Sequence, residues 1–199
     1  MSAAGVVRVA LLGAESTGKS TLAQALAARY GTLWVPEYLR EFVDVHARVP
    51  HEDDQPGIAR TQRAREDALA LDARVRGLGL LFCDTTPLMT AVYSRVYWGR
   101  VPPDLLAMEA AHDYAWTFVA APDLPWVPDG LQRESEEVRQ RVHAQLVAVL
   151  DERRIPFTLL TGDLETRMRQ VGALIDPPYP VQKSNWADAR NVRGAPGSR

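Results

Sequence analysis

Cysteine is almost absent from this chain. The 199 residues include one cysteine, Cys83, so an internal disulfide is excluded and the chain suits a reducing compartment. Cys83 ends the apolar run at residues 80–83, which favours a buried strand position over a reactive thiol. We therefore expect a cytoplasmic protein.

Long apolar runs and a strong excess of either charge are also lacking. The apolar runs fall far short of the ~20 residues that a membrane span needs, and residues 1–5 lack the features of a signal peptide. The formal net charge is −2 and the pI is near 6.1, so no general attraction to nucleic acid or to an anionic membrane is expected. These absences predict a soluble protein that binds neither nucleic acid nor membrane.

Lysine is rare, and its position is informative. The chain has 23 basic residues, of which only Lys19 and Lys183 are lysines. Lys19 lies in residues 13–20, GAESTGKS, which match the phosphate-binding pattern G-x-x-x-x-G-K-[ST] at every fixed position. An apolar run precedes this motif and a helical pattern follows it, as the loop requires. The motif predicts that the chain binds a nucleoside triphosphate.

Each part of this phosphate loop has a predicted role in binding ATP and Mg²⁺. Gly13 and Gly18 let the backbone curl so that its amides point at phosphate oxygens, next to the positive end of a helix. Lys19 is expected to reach the β- and γ-phosphates, and the Ser20 hydroxyl is expected to ligate Mg²⁺. The predicted ATP-binding residues of the loop are Gly13, Ala14, Glu15, Ser16, Thr17, Gly18, Lys19, Ser20 and Thr21.

Five apolar segments of strand length alternate with helical patterns. Strands are predicted at 6–12, 33–35, 78–83, 116–120 and 157–160, and helices at 56–76, 87–97, 103–114, 135–150 and 164–175. The alternation predicts an α/β fold of the P-loop NTPase type, with a five-stranded parallel sheet flanked by helices. Since 46% of the residues are hydrophobic, we expect a single domain over residues 1–176 and a flexible tail over 177–199.

Charged residues follow the second predicted strand, at the edge of the sheet where ligands bind. Glu37 is a candidate general base or acceptor for a sugar hydroxyl, and Arg40 is a candidate clamp for phosphate or transition-state charge. Alternatively, Glu37, Arg40 and Glu41 form the charge pattern of a helix start with one solvated ion pair. We favour a functional role for Glu37 and Arg40 and leave Glu41 open.

An aspartate follows the third predicted strand. Asp84 occupies the usual Walker-B position, where it can hold Mg²⁺ through water or accept a proton from the hydroxyl that attacks the phosphate. Capping the next helix is the structural alternative, although Thr85 and Thr86 can do that themselves. We therefore predict that Asp84 is catalytic and, with Ser20, binds Mg²⁺.

Residues 121–133 are irregular and are predicted to form a lid. Gly130 gives this segment a mobile backbone, and Arg133 and Arg139 are candidates to reach the phosphates. Arginine is the common basic residue of the chain, so each of these arginines is as readily a surface residue. Gly162, after the fifth strand, would let the backbone approach an adenine ring, although a left-handed turn explains it equally well.

Taken together, these segments resemble the nicotinamide riboside kinase domain of NadR-type proteins and related small P-loop ATPases. The resemblance rests on residues 13–22, 37–41, the strand that ends in Asp84, and 125–131, and it extends across residues 6–175. It implies a nucleoside/nucleotide-kinase fold and ATP-dependent 5′-phosphorylation of nicotinamide riboside. The chain departs from the family pattern at Gln132, where an arginine is usual and Arg133 follows one position later. The catalytic residues that we predict are Lys19, Asp84, Glu37, Arg40 and Arg133.

Other functions of a phosphate loop were weighed against this one. A GTPase switch would show Asp-x-x-Gly after the third strand and Asn-Lys-x-Asp for guanine, but here Asp84 is followed by threonines and neither lysine lies in such a motif. A regulatory ATP-binding module without kinase activity stays open, as does a kinase of another nucleoside. The sequence does not determine the oligomeric state.

Overall fold

A computed structural model describes residues 5–126 and 135–176, which form a parallel sheet of five strands with helices on both faces. The strands are β1 (Val7–Leu12), β2 (Leu33–Val35), β3 (Leu80–Asp84), β4 (Trp116–Ala120) and β5 (Thr158–Leu160). Their order across the sheet is β2-β3-β1-β4-β5, and all neighbouring pairs are parallel. The carboxyl end of β1 therefore lies between those of β3 and β4, where open α/β sheets bind ligands.

Within the described residues, seven α-helices and one short 3₁₀ helix accompany these strands, and the last α-helix follows β5. The helices are α1 (Lys19–Tyr30), α2 (Tyr38–His46), α3 (Gln55–Val75), α4 (Pro87–Trp98), α5 (Pro103–Ala110), α6 (Glu136–Glu152) and α7 (Leu164–Ile175). The 3₁₀ helix spans Glu52–Asp54.

The strands bury both of their faces. On one face, Leu22 of α1 packs with Phe82 of β3; on the other, Val142 and Leu146 of α6 pack with Leu12 of β1. Successive residues of a strand point to opposite faces, so the strand-length apolar runs supply both cores at once. Truncating a fully buried leucine such as Leu146 to alanine costs about 2–5 kcal/mol, and both layers therefore stabilise the sheet.

The predicted strands and fold class are confirmed, while some helix boundaries differ. Helix α5 ends at Ala110 rather than at residue 114. His112 and Tyr114 lie beyond it because their polar atoms bond elsewhere: His112 Nε2 is 2.8 Å from Thr117 Oγ1, and the Tyr114 hydroxyl donates to Glu66 at 2.5 Å. Cys83 is buried as predicted, and burial raises the pKa of its thiol.

Two predicted segments lie outside the described residues. They are residues 127–133 of the predicted lid, which include Gly130 and Arg133, and the predicted tail 177–199. Across residues 5–126 and 135–176, no helix combines the length and the apolar surface needed to cross a bilayer.

Candidate functional site

The phosphate loop connects the carboxyl end of β1 to the N-terminus of α1. Gly13 has a φ of +146°, and a Cβ placed on it would lie 2.9 Å from the Ala120 carbonyl oxygen of β4. Gly18 is the N-cap of α1 with a φ of +76°. Both positions therefore require glycine, one for space and the other for its left-handed backbone.

The side chain of Lys19 folds back over the phosphate loop. Its Nζ donates a 2.7 Å hydrogen bond to the Ala14 carbonyl oxygen, and its side chain is nearly buried. The Thr17 hydroxyl donates to the same carbonyl at 2.7 Å. The ammonium group thus lies over the curled backbone, where a phosphate oxygen can replace the carbonyl as its partner.

One cavity brings the phosphate loop together with the predicted residues of β2 and β3. Its volume is about 560 Å³, within the usual range for small-molecule sites. It contains the predicted residues Glu37, Arg40 and Asp84. The full lining is Ser16, Thr17, Gly18, Lys19, Ser20, Thr21, Gln24, Trp34, Pro36, Glu37, Arg40, Glu41, Asp44 and Asp84.

Asp84 is the last residue of β3 and is fully buried. Neither of its carboxylate oxygens has a hydrogen-bond partner of good geometry among the described residues. The residue does not cap α4, whose N-cap is Thr86 and has no side-chain cap bond. Burial raises the pKa of Asp84, while the nearby Lys19 ammonium and Ser20 hydroxyl lower it. A buried carboxylate that lacks hydrogen bonds of good geometry is costly, and this one faces a ligand-sized cavity.

The side chain of Glu37, just before α2, is nearly buried and does not cap the helix. It is the N-cap residue of α2, yet its side chain makes no cap hydrogen bond. Its Oε2 lies 3.6 Å from Arg40 Nε, and its side chain is 9% exposed. Burial raises the pKa of Glu37, Lys19 lowers it and the Asp84 carboxylate raises it. The two carboxylates therefore belong to one electrostatic unit around Lys19.

Glu41 has a different environment from Glu37. It makes a bidentate ion pair with Arg65 of α3, at 2.8 Å for each of the two bonds. The pair is exposed, and it lowers the pKa of Glu41. The solvated-ion-pair alternative therefore describes Glu41, although this residue also lines the cavity together with Glu37 and Arg40.

Gln62 of α3 was not predicted from the sequence, yet it connects the two carboxylate-bearing segments. Its Oε1 accepts a 2.9 Å hydrogen bond from the Tyr38 backbone N–H, and its Nε2 donates to the Thr85 carbonyl at 3.4 Å. Thr85 has a φ of +27°, a strained value for a β-branched residue. Gln62 thus fixes the backbone next to both Glu37 and Asp84.

Trp34 of β2 is the aromatic residue that lines the cavity. Trp98, at the C-terminal end of α4, does not line this cavity. Tyr93 and Tyr97 stack on each other with ring centroids 6.2 Å apart, as expected for residues one turn apart.

Arg139 and Gly162, which are predicted to contact the nucleotide, have other hydrogen-bond partners in this structure. The Arg139 guanidinium is buried and donates to the carbonyls of Pro122 and Leu124 at 3.1 and 2.9 Å. Gly162 has a φ of +85°, and its N–H donates to the Asp123 carboxylate at 2.6 Å. Neither residue lines the cavity, and contact with ATP stays a prediction for both.

The parallel sheet, its strand order and the loop after β1 define the fold of P-loop nucleoside and nucleotide kinases. The chain belongs to the AAA domain family, whose pattern matches residues 8–167.

Two solved structures and one characterised protein show how far the likeness extends. The trifunctional NAD biosynthesis/regulator protein NadR of Escherichia coli (strain K12) is 31% identical over 154 residues, covering 75% of this chain and 37% of that protein. A crystal structure of NadR protein in complex with NR superposes with a TM-score of 0.72 at 24% identity, over 91% of this chain and 54% of that one. Thymidylate kinase from Ehrlichia chaffeensis gives a TM-score of 0.60 at 12% identity, over 85% and 99% of the two chains. This chain thus spans little more than a third of the NadR sequence that it matches.

Proposed function

We propose that this protein is an ATP-dependent nucleoside kinase and that its acceptor is nicotinamide riboside. The observation that carries the proposal is the pair of buried carboxylates, Glu37 and Asp84, which share one cavity with Lys19 of the phosphate loop. A module that only binds ATP needs the loop but has no need of two buried acids beside it. We assign the activity to residues 1–176.

Lys19 and the loop amides would hold the triphosphate, and Mg²⁺ would supply further positive charge beside it. The residues that would hold the ion are Ser20 and Asp84, since both line the cavity and the Asp84 oxygens are buried without a good hydrogen-bond partner. Mg²⁺ keeps several waters and needs few protein ligands, which agrees with the lack of a cluster of three or more acidic, His or Cys side chains in the described residues. When bound, the ion would neutralise charge on the phosphates.

Glu37 would act on the acceptor side. Its raised pKa makes the carboxylate a better proton acceptor than an exposed glutamate, and it is placed to bind or deprotonate a ribose hydroxyl. Arg40, 3.6 Å from Glu37, would stabilise charge on the transferred group. Arg133, outside the described residues, stays a prediction for the same role.

Nicotinamide riboside suits this cavity because its ring carries a permanent positive charge. The lining includes the acidic residues Glu37, Glu41, Asp44 and Asp84 against the basic residues Lys19 and Arg40. Trp34 offers an aromatic face on which a cationic ring can stack. The NadR structure with NR has the same fold, which supports the choice of acceptor.

A kinase of another nucleoside is the second candidate, favoured by the fold that the chain shares with a deoxyadenosine kinase from M. mycoides. In either case the partner is a small molecule rather than a nucleic acid. The unpaired, buried Cys83 supports the reducing setting of the cytoplasm.

A competition among acceptors tests this proposal. ADP release should be measured with nicotinamide riboside, its uncharged reduced form, uridine, cytidine and thymidine, each with MgATP. We expect nicotinamide riboside to have the highest kcat/KM and the reduced form, which has nearly the same shape without the charge, to be at least tenfold poorer. Faster reaction with another nucleoside would transfer the assignment to that nucleoside, and ADP release that ignores every nucleoside would favour the regulatory module.

A further inference from the structure

Two buried arginines contact the phosphate loop from behind. Arg167 of α7 donates through Nη1 to the Thr17 carbonyl oxygen, and Arg139 of α6 lies with its Nη1 3.5 Å from the neighbouring Ser16 carbonyl oxygen. Neither arginine lines the cavity in front of the loop. When the N–H groups of a loop converge on a ligand, the carbonyl groups of the loop point to its other side. Here the two guanidinium groups donate hydrogen bonds to these carbonyls.

The burial of these arginines indicates a specific role. Arg167 is 1% exposed and is among the largest fully buried side chains, and Arg139 is 3% exposed. A buried guanidinium is costly unless it is hydrogen-bonded and paired. Asp123 pairs with Arg167, and Glu136 pairs with Arg139 at 2.7 Å. A stabilising contact alone would be made more cheaply by an apolar side chain.

The same arginines tie the phosphate loop to the segment that follows β4. Arg167 donates through Nη2 to the Ala121 carbonyl at 3.0 Å, and Arg139 donates to the carbonyls of Pro122 and Leu124. Asp123 extends the connection because it also accepts from the Gly162 N–H after β5. The loops that follow β1, β4 and β5 are therefore joined through three side chains, those of Arg139, Arg167 and Asp123.

We propose that Arg167 and Arg139 are positioning residues of the phosphate loop. Their hydrogen bonds keep the Ser16 and Thr17 carbonyl groups pointing away from the cavity, so that the loop amides face the triphosphate. They also place positive charge behind the loop. Their loss weakens binding of the nucleoside triphosphate and leaves binding of the acceptor unchanged. This inference rests on the nucleotide-binding half of the proposed function and not on the identity of the acceptor.

The test compares Arg167→Met with Arg167→Lys and with Arg169→Met. Arg169 is exposed on the same helix and bonds only locally, to Thr166, so it is the matched control. Binding of MgATP is measured by titration calorimetry, the acceptor KM by ADP release, and folding by the melting temperature. We expect Arg167→Met to weaken MgATP binding at least tenfold with the acceptor KM within twofold. Arg167→Lys should lie between it and wild type, because an ammonium cannot bond several carbonyls in one plane, and Arg169→Met should match wild type.

Amide hydrogen exchange separates a positioning role from a structural one, even in a variant of low stability. We expect Arg167→Met to speed exchange at residues 14–18 more than in α1 and β1, whereas a purely structural loss speeds exchange in all of them alike. Unchanged MgATP affinity in a folded variant, or uniform exchange, would overturn the inference. If the wild type binds MgATP but phosphorylates no nucleoside, the proposed kinase function fails while this inference stands.

Discussion

Burial raises the pKa of Glu37, and the carboxylate of Asp84 raises it further. Both acids lie at the carboxyl edge of the sheet, and Lys19 and Arg40 lower the pKa of each. Two negative charges with little access to water lie in one cavity, and in the absence of a ligand they lower the stability of the folded protein. The arrangement therefore favours function over stability.

Replacing Asp84 with asparagine should raise the melting temperature at neutral pH and abolish turnover. The pKa of Asp84 in the folded protein is raised above the ordinary 3.8, so its ionised form lowers stability, and this loss grows as the pH rises through the folded pKa. Asparagine cannot ionise and escapes the loss. We expect a gain of a few degrees, at about 2–4 °C per kcal/mol for a domain of this size.

Thermal unfolding of Asp84→Asn at pH values from 3 to 8 checks this prediction. The gain over wild type should vanish at the acid end of the series, where wild-type Asp84 is protonated in both states. Asp72→Asn, which alters an exposed acid in a local ion pair with Arg76, should show no such pH-dependent gain. A lower melting temperature for Asp84→Asn would mean that Asp84 serves the structure rather than the site.

Glu37→Gln should lower kcat/KM for the acceptor by about tenfold to a hundredfold while MgATP binding is unchanged. Removing a charged hydrogen-bond partner from a substrate hydroxyl costs about 1.5–3 kcal/mol, and more if Glu37 is also the base. Steady-state kinetics with the acceptor varied, beside calorimetry with MgATP, measures both effects. Glu152→Gln, at an exposed position, is the control, and equal losses on both substrates would contradict the assignment of Glu37 to the acceptor.

Trp34→Leu should weaken binding of a cationic acceptor more than that of its uncharged reduced form. Trp34 lines the cavity, and a cation over an indole ring gains about 1–2 kcal/mol when water is excluded. The KM of the cationic acceptor divided by that of the uncharged form should therefore rise by about fivefold to thirtyfold. Trp116→Leu, at the start of β4 and away from the cavity lining, should leave that ratio unchanged. Parallel loss on both acceptors would show that Trp34 provides shape alone.

Glu66, which lies outside the cavity lining, should make the stability of the folded protein depend on pH. Burial raises its pKa from 4.5 to about 7, although the Tyr114 hydroxyl bonds its Oε2 and lowers the pKa. The folded protein should therefore lose stability as the pH rises from about 4.5 to 7, by about 3 kcal/mol in total. Denaturant unfolding of wild type and Glu66→Gln across this range tests the point: the difference between their stabilities should change with pH in that window, and a constant difference would show that folding leaves the pKa of Glu66 unchanged.

The sequence predicted the fold and the loop because their signals are local in the chain. Lys19 sits in a contiguous motif, and Asp84 directly follows four apolar residues, so each could be recognised without knowing what lies opposite. Glu37 and Asp84 could be expected to meet because parallel strands end at one edge of the sheet.

The residues that the sequence missed depend on contacts across space. Gln62 shares the buried face of α3 with Ile58 and Glu66, and Arg167 shares the buried face of α7 with Val171 and Ile175. The helical spacing of Arg167 with these apolar residues was therefore a usable signal of burial, whereas the face of α3 carries several polar residues and gave no such signal for Gln62. Spacing does not show which groups a buried side chain contacts, so the bond of Arg167 to the phosphate loop could not be predicted.

The most direct test of the kinase proposal follows the phosphoryl group itself. Wild-type protein and Lys19→Ala are incubated with MgATP and nicotinamide riboside, and ³¹P NMR with mass spectrometry measures ADP and the phosphorylated nucleoside. Lys19 faces the ligand site rather than the core, so its loss should leave the fold intact while removing turnover. We predict that the wild type forms ADP and nicotinamide mononucleotide in equal amounts and that Lys19→Ala forms neither. ADP without any phosphorylated nucleoside, or full activity of the variant, would contradict the account.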